Sequence, residues 1–118
     1  MADDARPLSL ADQAFANAMI AVTRPSFGQD WPREAAVDAI RELLPQVNRS
    51  HPHLVALSEA AGLVLNAFAM RPGPERTAAV STALTRAHWA AADFAMWRLG
   101  RALEAMNTTQ DRNEGRAA

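Results

Sequence analysis

The chain contains no cysteine, no tyrosine and no lysine; all twelve of its basic residues are arginine. Without cysteine there can be no disulfide, no thiolate nucleophile and no Cys-type zinc site. Its five glycines form no phosphate-cradling loop, and no G-x-S-x-G elbow occurs. No apolar run approaches the roughly 20 residues that a membrane-spanning helix needs. The first ten residues, "MADDARPLSL", begin with acids and lack an apolar stretch, so no signal peptide is expected. A net charge of -1 supplies no global basic field, so neither direct nucleic-acid binding nor binding to an anionic membrane is expected. An arginine-only, alanine-rich composition reads as a GC-rich bacterial coding sequence, and a cytoplasmic location is the expectation.

What remains is 49% hydrophobic and 21% charged, the balance of an ordinary folded domain, and 118 residues suffice for one core. Alternation typical of strands is missing, whereas helical spacing recurs four times. Ser9 opens a first helix, with Asp12 three residues on as a capping box and Phe15, Met19 and Val22 on its apolar face. "RPSFGQDWP" breaks the pattern. Asp30 and Pro32 start a second helix, striped by Val37, Ile40, Leu43, Leu44 and Val47, which Pro45 should kink or end. A third follows "NRSHPH", with Leu54, Leu57, Ala61, Val64, Leu65 and Phe68 as its main stripe. Val55, Leu63 and Met70 lie on its other side, so it is either central or shared with another subunit. "RPGPE" offers Gly73 as a helix C′ residue and Pro74 as the first residue of a fourth helix, which meets no strong breaker before about Asn107. The predicted layout is a flexible N-terminus 1–8, one helical domain 9–107 and a disordered tail 108–118.

The richest stretch of chemistry is "HWAAADFAMWRLGRA", His88 to Ala102. On a helical wheel Val80, Leu84, Ala87, Ala91 and Phe94 share one side. Met96, Leu99, Leu103 and Met106 cluster roughly 100° further round, so the helix either bends near Ala92 or meets two different neighbours. His88 falls between the stripes as a half-buried, hydrogen-bonded residue, and Trp89 at the edge of the second reads as core. Trp97 shares a polar strip with Arg86, Asp93, Arg101 and Glu104. It either lies beneath Arg101 in a cation–π contact or anchors an interface.

Catalytic and metal chemistries find little support. "HPH" at 51–53 gives two histidines two apart, but Pro52 suits a first helical turn with Ser50 or His51 as cap, so no metal site is assigned. No histidine follows a glutamate by three, which excludes the Glu-x-x-His pairs of di-iron bundles. Glu59 and Asn66, seven apart on one face of the third helix, read as a structural polar contact. No catalytic residue and no cofactor are assigned, and the chain is not expected to be an enzyme.

One segment, "VTRPSFGQD" followed by "AVDAIREL" (Val22 to Leu43), resembles the front part of the TraM quorum-sensing antiactivators of rhizobial conjugative plasmids. It covers about a fifth of the chain, and Pro45 stands where that family continues its helix. The resemblance implies a small helical dimer that binds a LuxR-type transcriptional activator and keeps it from DNA; it carries over no functional residue.

The sequence thus predicts an all-α protein, a small four-helix bundle with a long C-terminal helix, forming a homodimer. It predicts a non-enzymatic, protein-binding regulator of the antiactivator or inhibitor kind, whose partner is another protein such as a transcriptional regulator. Trp97, Arg101 and Trp31 are the candidate partner-binding residues, and Leu63 and Met70 the candidates for self-association. The alternative is a small-molecule-binding bundle or an accessory subunit of a larger complex, with His88, Trp89 and Met96 lining an apolar cavity.

Overall fold

A computed structural model describes residues 8–24 and 31–117, with the side chains of 31, 32 and 108–117 left aside. Among the described residues lie four α-helices: α1 Leu10–Val22, α2 Trp31–Leu43, α3 Pro52–Phe68 and α4 Pro74–Ala117. Each begins or ends where local chemistry dictates. Ser9 Oγ accepts from Asp12 N at 3.0 Å while the Asp12 carboxylate accepts from Ser9 N at 3.2 Å, which forms the expected capping box. Pro45 stops α2 at Leu43 and tightens the chain into a 3-10 turn, Leu44–Gln46. His51 is the cap of α3, its Nδ1 accepting from His53 N at 3.2 Å, with Pro52 in the first turn.

Gly73 takes a different role from the one its position suggests. It does not close α3, whose C-terminal cap is Ala69. It introduces α4: its carbonyl accepts from the Thr77 backbone at 3.0 Å and from Thr77 Oγ1 at 3.1 Å. Its φ of 156° is one that residues bearing a Cβ rarely adopt.

Chain neighbours pair into two helical hairpins, α1 with α2 and α3 with α4, which pack on each other. Phe15, Met19 and Val22 of α1, Ile40 of α2, Leu54, Leu57 and Val64 of α3, and Phe94 of α4 fill the core. α4 otherwise contributes Ala83, Ala87 and Ala91. Small side chains there let its axis come close to its neighbours. Three polar ties join distant segments. Arg98 of α4 donates to Asn17 Oδ1 of α1 at 3.4 Å. Arg33 of α2 donates to the carbonyls of Val22 (3.3 Å) and Arg24 (3.1 Å), closing the C-terminal end of α1. Asp12, almost fully buried, also accepts from Asn48 N at 3.1 Å, fixing the α2–α3 connection against the start of α1.

α4 is far longer than the body it packs on. Its 44 residues form one helix, continuing ten beyond the Asn107 at which the sequence reading stops it. At 1.5 Å per residue it spans about 66 Å, and the molecule measures 67 × 31 × 20 Å. The radius of gyration is 17.4 Å; a compact chain of this length would give about 13.5 Å. No break in the helix separates the two apolar stripes. The first is buried in the body, and the second continues past the body's edge: every residue from Leu99 to Asn107 is exposed. Among the described residues no helix is long and apolar enough to cross a membrane.

Candidate functional site

Where α3 begins, its first turn passes across α4 and builds an aromatic corner. The His53 ring stacks on Trp97 with centroids 4.4 Å apart and planes 14° from parallel. His51, buried, meets the same indole edge-on at 5.4 Å, and Phe94 lies 5.5 Å away at a tilt. Offset or edge-to-face ring pairs of this kind contribute about 0.5–1.5 kcal/mol beyond their buried area. The two histidines of "HPH" therefore serve as a helix cap and a ring platform. Among the described residues no group of three or more metal-ligating side chains comes together.

This corner corrects the placement of Trp97. Its wheel position is shared with Asp93, Arg101 and Glu104, which suggested a solvent-facing anchor; instead it is half-buried against the core. The reason is non-local: the start of α3 covers that strip of α4 at the level of residue 97 and leaves it open further on. Arg101, one turn beyond, is exposed on the overhang, and the arginine that lies over a ring here is Arg98, 5.7 Å from the centroid of Phe94. The side chain of Trp31 lies outside the described residues.

Two further readings are reversed. Trp89, expected in the core, is 65% exposed, and His88, expected to be half-buried against another helix, is exposed with its ring 5.8 Å from Trp89. Body packing uses Ala87 and Ala91 and turns positions 88 and 89 outward. His88, Trp89 and Met96 consequently enclose no cavity: Met96 is 69% exposed, and His88 only borders a shallow trough between α1 and α4.

Two further surface features are apolar. One is a trough of about 360 Å3 between α3 and the first half of α4, with Leu63, Asn66 and Met70 on one bank and Ala78, Ala79 and Thr82 on the other. Leu63 and Met70 are both exposed. A smaller trough of about 310 Å3, floored by Ala91, Ala92 and Ala95, runs between α1 and α4. Beside it begins a row of large exposed side chains on α4: Trp89, Met96, Leu99, Leu103 and Met106. The sequence reading grouped the last four, left Trp89 at the edge as a core residue, and had the two stripes either separated by a bend near Ala92 or facing different neighbours. Comparison with protein-family models, with curated proteins and with solved structures yields no match.

Proposed function

We propose that this chain is a small, non-enzymatic regulator that works by binding another protein. The observation that carries this reading is the α3–α4 trough. It is open along one side, apolar on both banks and marked by two exposed large side chains, Leu63 and Met70, two helical turns apart. Such a channel accepts the apolar face of an amphipathic helix, whose anchors recur at i, i+3 or i+4, and i+7. Asn66, between the two anchors, provides a polar point that fixes register. An antiactivator or inhibitor mechanism follows, in which occupation of the partner's helix denies it another contact.

The partner-binding role moves, in this reading, from Trp97 and Arg101 to Leu63 and Met70. The test is affinity capture from the source cells with the full chain and with a Leu63→Glu/Met70→Glu variant that retains its helical circular dichroism. A defined protein held by the parent chain and lost with the variant supports the proposal. Identical capture by both chains would sink it. The expected weakening is at least about a hundredfold, since charged groups replace two desolvated anchors.

A further inference from the structure

The exposed row on α4 has a regularity of its own. Trp89, Ala92, Met96, Leu99, Leu103 and Met106 are separated by three, four, three, four and three residues, the a/d spacing of a coiled-coil seam. Its five large members are exposed by 65, 69, 53, 49 and 66% in chain order. At about 100° per residue the row's centre lies roughly 150° from Ala83, Ala87, Ala91 and Phe94, so it faces away from the body. A contiguous apolar row of this size on the outside of a small protein marks a contact. The overhang adds a second argument: every residue from Leu99 to Asn107 is exposed, and a helical segment of that length is marginal in water by itself, so a surface packed along it adds stability.

We infer that a second copy of this chain occupies the row, its α4 running antiparallel to the first, with the twofold axis passing between Trp97 and Arg98. This contact is separate from the α3–α4 trough. In that register Trp89 of one copy lies beside Met106 of the other, Ala92 beside Leu103, and Met96 beside Leu99. Each layer then joins a bulky side chain to a complementary one. A parallel pair would set Trp89 against Trp89 and leave a gap where Ala92 meets Ala92. The flanks suit a close antiparallel approach. Ala95 faces Ala95 along one edge and Gly100 faces Gly100 along the other, with the Asp93 carboxylate opposite the Asn107 amide and no like charges opposed. The row runs from the body onto the overhang, so each overhang lies along the other copy's body, next to the trough floored by Ala92 and Ala95. The five large side chains leave roughly 600 Å2 per copy in water, and pairing withdraws on the order of 1,200 Å2, the lower edge of the range for stable protein contacts. A twofold contact is self-complementary and closes at two, which blunts the row without propagating.

The test uses the full chain. Light scattering over a concentration series is expected to give twice 12.8 kDa, and Leu99→Glu/Leu103→Glu is expected to raise the dimer dissociation constant at least about a hundredfold while the body's melting stays cooperative. A parent chain that remains monomeric throughout, or a double variant that dimerises as well as the parent, overturns the assignment. Orientation is read separately, because the chain has no cysteine and single thiols report cleanly. Met96→Cys and Leu99→Cys chains, mixed in equal amounts, should form the mixed interchain disulfide under mild oxidation, because that layer sets residue 96 beside residue 99 of the other copy. Efficient cross-linking of Leu99→Cys to itself, or no mixed disulfide, overturns the antiparallel register. The Leu63→Glu/Met70→Glu chain should remain dimeric, so failure of the partner-binding proposal and failure of this one have different signatures. A trough variant that falls to monomer would place self-association on α3 instead and overturn the seam.

Discussion

The two halves of α4 are one uninterrupted helix with apolar residues at helical spacing throughout, yet they meet opposite fates. Before Trp97 the buried face is Ala83, Ala87, Ala91 and Phe94; after it Leu99, Leu103 and Met106 stand in water. The buried face is built mostly of small residues and the exposed one of large residues, the reverse of what a hydrophobicity ranking alone would suggest. Small side chains bring a helix close to neighbours that already exist in the chain, and one Phe suffices to fill the space. Large, regularly spaced side chains are knobs for a surface that supplies its own holes. Apolar spacing therefore reports that a face is to be covered, while side-chain size and register indicate what sort of surface covers it.

Substitutions can break or sharpen this contrast. The largest effect should come from Phe94→Ala, which empties a fully packed site and is expected to cost about 3–5 kcal/mol in chemical denaturation. Leu103→Ala, nine residues on, should cost the body less than about 0.5 kcal/mol at protein dilutions where the chain is monomeric. Equal losses at the two positions would mean that the halves are not distinct. Trp97→Ala tests the boundary. Half-buried and stacked on His53, it should lower stability by about 2 kcal/mol, and His53→Ala should reproduce part of that loss. An unchanged denaturation midpoint with Trp97→Ala would return this residue to the solvent side of the boundary. Smallest is Gly100→Ala, where a Cβ meets nothing within 4 Å in a single copy. It should favour the helical overhang by about 0.5–1 kcal/mol, seen as slower amide exchange around Leu99–Leu103 with no shift in the body's melting.

Much of the architecture was legible because its causes are local. The Ser9–Asp12 box, the stop at Pro45, a cap at Ser50 or His51 and the start at Pro74 each depend on residues a few positions apart, as does the buried stripe of Leu54, Leu57, Ala61 and Val64 on α3. The site was less legible. Trp97 and Trp89 exchange their expected environments because the first turn of α3 crosses one side of α4 and not the other, and no wheel drawn for a single helix contains that information. The tie from Asp12 to Asn48 spans 36 positions and looks like an ordinary cap until the fold closes. The apolar row was visible in the spacing of Met96, Leu99, Leu103 and Met106, but whether the helix bends there or meets a different neighbour was not, because sequence alone does not tell where the body ends.

The position of the overhang after the body in the sequence also bears on the order of events during synthesis. Every residue needed to bury Phe15, Leu57 and Phe94 precedes Leu99, and the two hairpins join helices that are adjacent along the chain, a pattern that folds quickly. As the chain emerges from its N-terminus, the helices of the body therefore leave the ribosome ahead of the last three positions of the row, Leu99, Leu103 and Met106. An adhesive strip that emerges last has the least time to capture unfolded parts of a neighbouring nascent chain.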